Sequence, residues 1–240
     1  MSISRHILRG RTKEPPLSFF HAGPAPKGSG PRPGALRDGL GLQPGMKVGL
    51  FGGSFNPAHE GHVHVAETAL RRLGLDRVVW LVSPQNPLKS AQGMASLELR
   101  MASARHAASK AGPAMLVSDF ETRTNTRWTV DTLRVLKARY PGVQFVWLMG
   151  SDNLASFHRW RGWTDIMRMM PMAVVARPGS LLDSLTAPAA ARFARYRIPA
   201  AQAGLVASLK APAWTYLTAP LNPRSSTAIR ANGGSLVGKG

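Results

Sequence analysis

The sequence predicts an α/β fold, a doubly wound parallel sheet of the Rossmann-like kind. Short apolar segments of strand length alternate with segments of helical periodicity, and this alternation is typical of a parallel sheet with helices on both faces. A glycine pair follows the first apolar segment, as in sheets that bind ligands at their strand ends. The chain has 240 residues, of which 44% are apolar, and this is enough material for a sizeable core.

The strand and helix candidates follow one another in a regular order. The strand candidates are short apolar runs bounded by turn residues, at residues 46–51, 77–82, 115–120, 143–149, 172–176 and 213–218. The helix candidates are residues 60–73, 96–111, 129–140, 154–170 with a break near Gly162, and 225–231. Residues 179–212 are rich in alanine and contain arginine, and this pattern leaves open both an amphipathic helix with loops and a divergent insert.

The first 45 residues differ in composition from the rest of the chain. They contain seven Pro, eight Gly and seven Lys or Arg, but only two acidic residues. Such a segment cannot bury enough apolar surface to offset its loss of conformational entropy. We therefore expect residues 1–45 to form a disordered basic extension and residues 46–235 to form one folded domain.

The composition also excludes several classes of function. Since the chain has no Cys, a disulfide scaffold, a thiolate zinc site, an iron–sulfur cluster and a cysteine nucleophile are excluded. No apolar run approaches the roughly 18 to 20 residues that cross a bilayer, so we expect a soluble protein with no membrane partner. Because the sequence also shows no export signal, we expect it to be cytoplasmic. The net charge of +19 would suit nucleic acid. The basic residues are scattered, however, and the same field concentrates small anions, so we expect no nucleic-acid partner.

The segment between the first strand and the first helix carries the most chemistry. It reads GGSFNPAHEGH and ends at His62. The N–H groups of Gly52, Gly53 and Ser54 can approach a phosphate group, and the following helix contributes the positive end of its dipole. His59 and His62 are three residues apart at the start of this helix, so they share a face and can donate hydrogen bonds to phosphoryl oxygens. The pattern predicts a nucleotide site.

Simpler interpretations of the same residues exist. A glycine pair after a strand is common, and a histidine on a helix is more often a polar surface residue. The run from His59 to His64 is also rich in metal ligands, but a zinc protease requires a second histidine four residues after the first. That position is Val63, so the sequence does not favour a metalloprotease.

Several segments together resemble a known family. The segment that ends at His62 resembles the (G)GxFxPxHxGH signature of the nucleotidyltransferase superfamily. The other segments are NPLK from Asn86, WTVDTL from Trp128, GSDNL from Gly150, the RW pair at Arg159, and SSTAIR from Ser225. In this order and spacing they resemble the bacterial nicotinate-nucleotide adenylyltransferases, over about residues 46–231.

The resemblance implies an enzyme of NAD biosynthesis whose residues 46–235 form a nucleotidyltransferase domain. The substrates would be ATP and nicotinate mononucleotide, and the products nicotinate adenine dinucleotide and pyrophosphate. The phosphate of the mononucleotide would attack the α-phosphorus of ATP in line, with no covalent intermediate, so no cysteine nucleophile is needed. Mg²⁺ would be carried by ATP, because the sequence shows no obvious carboxylate cluster to hold it.

The resemblance also implies site residues on the ATP side. The catalytic residues would be His59, His62 and Arg230. Ser226, Thr227 and Arg230 would bind the β- and γ-phosphates, a role that suits hydroxyls at a helix start and a guanidinium fork. The remaining members of the implied ATP-binding set are Gly52, Gly53, Ser54 and Asp152, the last of which would contact ribose hydroxyls.

The implied binding set for the mononucleotide is Asn86, Lys89, Thr129 and Trp160. Trp160 matches the position whose aromatic ring stacks on the pyridine in this family, and backbone amides beside the Thr and the Trp would receive the nicotinate carboxylate. Trp160 and Trp163 are also of a size typical for the core, and Lys89 would equally suit a solvated loop.

Two departures and several alternatives accompany the resemblance. Arg224 stands where the family usually has an apolar residue, and the N-terminal extension has no counterpart in the family. Trp128, where the family usually has Tyr, is a milder change that keeps an aromatic ring. A nicotinamide mononucleotide adenylyltransferase is the nearest alternative and differs in preferring an amide to a carboxylate. A phosphopantetheine adenylyltransferase usually carries Thr at the position of His59, and a class I aminoacyl-tRNA synthetase needs more chain. A basic nucleic-acid-binding module with a degenerate site is the alternative from another class, and a homo-oligomer stays open.

Overall fold

The structure is a computed structural model that describes residues 39–84, 93–177 and 181–218. Within these ranges seven strands form one sheet in the order β3-β2-β1-β4-β5-β7-β6, and every neighbouring pair is parallel. The strands are β1 Lys47–Gly53, β2 Arg77–Val82, β3 Met115–Ser118, β4 Gln144–Gly150, β5 Met172–Val175, β6 Arg197–Ile198 and β7 Trp214–Leu217.

Helices cover both faces of the sheet, and the predicted doubly wound α/β fold is confirmed. The α-helices are α1 Glu60–Leu73, α2 Leu97–Lys110, α3 Phe120–Arg123, α4 Thr129–Arg139, α5 Ser151–Phe157, α6 Trp163–Met169, α7 Leu181–Leu185 and α8 Pro188–Arg192. Two 3₁₀ segments follow, Ala194–Tyr196 and Ala200–Ser208. No helix in the described ranges has the length and apolar character needed to cross a membrane.

The core has two halves because successive strand residues point to opposite faces of the sheet. Leu50 and Trp147 lie in the half that packs against α4, α5 and α6. Phe51 and Trp80 lie in the half that packs against α1 and α2. The central strands are therefore buried on both sides, which is why they read as nearly continuous apolar runs.

The strand order reverses between β1 and β4. The chain runs outward from β1 through β2 to β3, then returns to β4 on the other side of β1. In open parallel sheets this reversal leaves a crevice at the carboxyl ends of the two strands, where ligands bind. The fold therefore places the segment after β1 beside the segment after β4.

Most predicted elements agree with the structure, but the third strand differs, and the helix predicted at residues 225–231 lies outside the described residues. The third strand was predicted to reach residue 120, whereas β3 ends at Ser118 and Phe120 begins α3. The turn at Phe120 is stabilised locally, since Arg123 pairs with Asp119 at 2.7 Å and the Thr124 hydroxyl donates to the Phe120 carbonyl. The predicted break at Gly162 is confirmed: this residue has φ +64° and is the N-cap residue of α6.

The stretch 179–212 forms no single amphipathic helix in its described part. It contains α7, α8, both 3₁₀ segments and the short strand β6, which pairs with β7 at the sheet edge. Alanines fill the tight contacts of this region, and Ala189 and Ala203 are buried. The low side-chain volume of these residues lets short helical pieces pack closely against the sheet.

Part of the stretch expected to be an extension packs against the core. Leu40 and Leu42 are buried in the same cluster as Tyr140 and Phe145. Gly45 donates a backbone hydrogen bond of 2.8 Å to the carbonyl of Gly142. The packed chain therefore includes residues before Met46, where the composition alone had placed its start.

Candidate active site at the carboxyl ends of β1 and β4

The two histidines after β1 build the start of α1. His59 is the N-cap residue, and its Nδ1 accepts a hydrogen bond from the N–H of Gly61 at 3.0 Å. The Nδ1 of His62 accepts from the N–H of His59 at 3.3 Å. Together these bonds form a reciprocal capping box, with imidazoles in the place of the usual hydroxyl and carboxylate.

This arrangement fixes the tautomer of both imidazoles. Since each Nδ1 accepts a hydrogen bond, the proton of each neutral ring is on Nε2. The ring centroids of His59 and His62 are 3.9 Å apart. The first turn of α1 therefore carries two adjacent N–H donors at the positive end of the helix dipole, which is an arrangement suited to an anion.

Aromatic side chains hold the ring of His62 in place. Its centroid lies 5.0 Å from that of Phe55, 6.0 Å from that of Phe51 and 6.2 Å from that of Trp80. Phe55 is buried and adopts a φ of +46°, a conformation that non-glycine residues rarely take. Its ring stacks on Trp80, with centroids 5.1 Å apart, and this packing stabilises the unusual backbone.

Position 52 requires a glycine because the Trp147 ring lies close to its backbone. A Cβ at residue 52 would lie only 2.4 Å from Cη2 of the Trp147 indole, which is buried. On its other side, Trp147 contacts the partly buried Trp160 at 6.4 Å between ring centroids. These contacts connect the end of β1 to the loop between α5 and α6.

The segment after β4 carries an ion pair. Asp152, in the first turn of α5, accepts a hydrogen bond from Arg177 at 3.2 Å, and its side chain is 49% exposed. Both side chains lie close to Gly150. A Cβ at that position would be 2.4 Å from the Asp152 carboxylate and 2.6 Å from Cδ of Arg177. The Ser151 hydroxyl accepts a further hydrogen bond from the N–H of Arg177.

The amino end of α4 lies on the same edge of the sheet. Trp128 is its N-cap residue and makes no side-chain capping bond, and Thr129 is its first residue. The guanidinium carbons of Arg127 and Arg161 each lie 5.3 Å from the Trp128 ring centroid. Two cations are therefore held beside a helix terminus that itself favours negative charge.

The predicted site residues divide into two groups. Those that the structure describes lie at the end of β1 or after it, after β4, or at the start of α4, and they are Gly52, Gly53, Ser54, His59, His62, Thr129, Asp152 and Trp160. The others lie outside the described residues, and they are Asn86, Lys89, Ser226, Thr227 and Arg230. The individual roles of all these residues stay predictions.

Two side chains at this edge were not singled out from the sequence. Arg100 is only 1% exposed and lies against the turns after β1 and β2. Arg177 follows β5 and reaches Asp152. No periodicity or motif distinguishes a buried arginine from an exposed one on a helix such as α2, so only the structure identifies Arg100.

Glu121 is a further buried polar residue near the end of β3. It is 7% exposed, and burial raises the pKa of its carboxyl to about 7. The physical cause is desolvation, which disfavours the charged form. Among the residues that the structure describes, no group of three or more metal-ligating side chains could hold a metal ion.

Comparisons with known proteins identify the family. The family model for cytidylyltransferase-like proteins matches residues 50–232. A curated relative from Caulobacter sp. (strain K31), named a probable nicotinate-nucleotide adenylyltransferase, is 63% identical over 185 residues, which is 77% of this chain and 97% of that protein. A relative of the same name from Parvibaculum lavamentivorans is 53% identical and covers 80% of this chain and 95% of its own.

A solved structure with the same fold is the Plasmodium falciparum nicotinic acid mononucleotide adenylyltransferase complexed with NaAD. It has a TM-score of 0.59 and 15% sequence identity, and the match covers 77% of this chain and 82% of that one. At this identity the likeness shows the shared fold alone. The high identity to the curated relatives, over nearly their whole length, shows that this chain belongs to the nicotinate-nucleotide adenylyltransferase family.

Proposed function

We propose that this chain transfers the AMP moiety of ATP to nicotinate mononucleotide and thereby makes nicotinate adenine dinucleotide and pyrophosphate in NAD biosynthesis. The proposal is supported by family membership and by one structural observation above all. That observation is the histidine capping box, which presents the Nε2–H donors of His59 and His62 where the strand order reverses. Such a site suits a triphosphate.

The reaction needs no group on the protein that becomes covalently attached. A phosphate oxygen of the mononucleotide forms a bond to the α-phosphorus of ATP while the bond from that phosphorus to the bridging oxygen of the β-phosphate breaks. Pyrophosphate leaves with the electron pair. Negative charge builds on the phosphoryl oxygens during this displacement, and donors fixed in advance stabilise it. We assign this role to His59 and His62.

Other described residues would bind the two substrates. The carboxylate of Asp152, held by Arg177, is suited to accept hydrogen bonds from ribose hydroxyls. Trp160 is partly exposed and would stack on the pyridine ring. The amino end of α4 at Thr129, with Arg127 and Arg161 near it, would favour the nicotinate carboxylate over an amide.

The rest of the assignment comes from the family resemblance. Ser226, Thr227 and Arg230 would bind the β- and γ-phosphates, while Asn86 and Lys89 would contact the mononucleotide. Mg²⁺ would enter as a complex with ATP, whose phosphates it prefers to dedicated protein cages.

A pyrophosphate-release assay tests the function and the substrate together. With MgATP as the first substrate, we expect turnover with nicotinate mononucleotide and a clear preference for it over nicotinamide mononucleotide. Comparable rates for the acid and the amide would contradict the substrate assignment. Absence of turnover with both would contradict the proposed function itself.

A further inference from the structure

The buried guanidinium of Arg100 is bonded to carbonyl oxygens of two different loops. Arg100 is on α2, and its Nη1 donates to the carbonyls of Ser54 at 2.9 Å and Ser83 at 2.6 Å. Its Nη2 donates to the carbonyl of Pro84 at 2.7 Å, and its Nε to that of Ala95 at 3.1 Å. Ser54 belongs to the turn after β1, whereas Ser83 and Pro84 follow β2.

Asn56 and Ser103 reinforce the same connection. The side-chain amide of Asn56 donates to the carbonyl of Gly93 at 3.0 Å, and its oxygen accepts from the N–H of Ala95 at 3.1 Å. The Ser103 hydroxyl, three residues after Arg100 on α2, accepts from the N–H of Ala58 at 3.0 Å. The turn that ends at His59 is therefore hydrogen-bonded to α2 and to the segment before α2 at three of its residues, which are Ser54, Asn56 and Ala58.

A charged group in this position carries an energetic cost. Burial removes the Arg100 guanidinium from water and lowers its pKa, and the exposed Glu98 offsets this effect only in part. A neutral apolar side chain of similar length would fill the same space without that cost. What it could not do is satisfy several carbonyl oxygens at once, which the rigid guanidinium fork achieves.

We propose that Arg100 is a positioning residue for the transfer reaction. It holds the turn that ends at His59 in a fixed position relative to the segment after β2. The inference rests on the proposed function, because it assigns to His59 and His62 the donors that Arg100 positions. A displacement of about 1 Å at such donors is enough to lower a rate substantially. The effect of Arg100 should therefore appear in kcat more than in the KM for either substrate.

The test compares Arg100→Lys with Arg105→Lys, its matched control on an exposed position of the same helix. Lysine keeps the charge and the length but replaces the planar fork with a single point donor. We expect Arg100→Lys to lower kcat by about 10- to 100-fold with less than about a 3-fold change in KM for ATP. We expect Arg105→Lys to match the wild type. A wild-type kcat in Arg100→Lys would overturn the proposal.

A second variant keeps the test decisive if Arg100→Lys fails to fold. Ser103→Ala removes only the acceptor of the Ala58 N–H and leaves the guanidinium in place. We expect it to lower kcat by about 3- to 10-fold while thermal denaturation shows a folded protein. An unchanged kcat in Ser103→Ala would then overturn the proposal.

A spectroscopic measurement separates this inference from the proposed function. Long-range ¹H–¹⁵N correlations of the wild-type protein without substrate should show unprotonated Nδ1 atoms in His59 and His62. We expect these signals to shift in the folded Arg100 or Ser103 variant and to stay unchanged in Arg105→Lys. Unchanged signals would contradict the positioning role even if the wild-type enzyme turns over both substrates, whereas shifted signals without wild-type turnover would contradict only the proposed function.

Discussion

The two strand ends that flank the reversal in strand order are stabilised in different ways. After β1, the turn is held by the buried Arg100 through carbonyl oxygens, with little access to water. After β4, the supporting contacts are the bond from the Arg177 N–H to the Ser151 hydroxyl and the pair between Asp152 and Arg177, whose side chains are 49% and 15% exposed. A buried hydrogen-bond network favours a single geometry, because a buried donor or acceptor without a partner lowers stability. Exposed ion pairs contribute little to stability. We therefore expect the turn after β1 (the β1 side) to be more rigid than the segment after β4 (the β4 side).

The largest expected effect is on the chemistry of the rigid side. His62→Ala removes one N–H donor that we assign to the transition state, and we expect kcat to fall by about 10²-fold or more. Steady-state pyrophosphate release measures this change. His106→Ala, at an exposed position on α2, is the matched control and should match the wild type. A near-normal kcat in His62→Ala would contradict the role of the histidine pair.

Glu121, which lies on α3 directly after β3, is a buried carboxyl group whose charged form is disfavoured by desolvation. Its pKa is about 7 in the folded protein against 4.5 for an ordinary Glu side chain, so the folded state binds the proton more tightly between these values. The free energy of unfolding should therefore decrease as the pH rises from about 4.5 to about 7, by at most about 3 kcal/mol.

Glu121→Gln tests this effect. The variant should lose that part of the pH dependence and be more stable than the wild type at pH 8, as measured by urea denaturation at several pH values. Asp183→Asn, at an exposed position on α7, is the control and should leave the pH dependence unchanged. A Glu121→Gln curve parallel to that of the wild type would show that Glu121 does not carry the effect.

A methyl group at Gly52 probes the rigidity of the β1 side directly. The new Cβ would lie 2.4 Å from the buried Trp147 indole, so either the ring or the strand must shift. We expect Gly52→Ala to lower the free energy of unfolding by about 1–3 kcal/mol, the usual range for overpacking. Urea denaturation measures this loss. Gly204→Ala, which adds a methyl group in open space, should change stability by less than about 0.5 kcal/mol.

The matched change on the β4 side should have the smallest effect on stability. In Gly150→Ala the new Cβ would meet the Asp152 carboxylate, which is half exposed, and the side chain of Arg177. We expect a loss below about 1 kcal/mol, since the Asp152 carboxylate can turn toward solvent, with a rise in the KM for ATP. If Gly150→Ala and Gly52→Ala proved equally destabilising, the contrast between the two sides would be wrong.

The sequence predicted the elements of the fold well because their apolar periodicity is strong. The bounds of α1 and β2 agree with the prediction to the residue. The start of the packed chain was placed too late, because Leu40 and Leu42 are isolated apolar residues among glycine and proline, and only tertiary contacts show that they are buried. A chain shortened to begin at Met46 would lose this packing, whereas one that begins at Gly39 would keep it.

The candidate site was predictable in outline for a different reason. His59 and His62 belong to a segment whose type and spacing are distinctive, and the order of the strands brings that segment to the edge where β4 also ends. Arg100 and Arg177 could not be predicted, because their contacts join segments far apart in the chain. Local patterns carry no information about such long-range partners.

The histidine capping box makes one pair of rings serve both the backbone and the proposed chemistry. An imidazolium has a proton on each nitrogen and cannot accept from a backbone N–H, so the capping bonds of His59 and His62 require each Nδ1 to be unprotonated. A mutation that spares the ring but moves the helix start would equally redirect the donors. The four ring nitrogens of His59 and His62 therefore serve both the start of α1 and the proposed transfer. A change that alters one of these roles also alters the other.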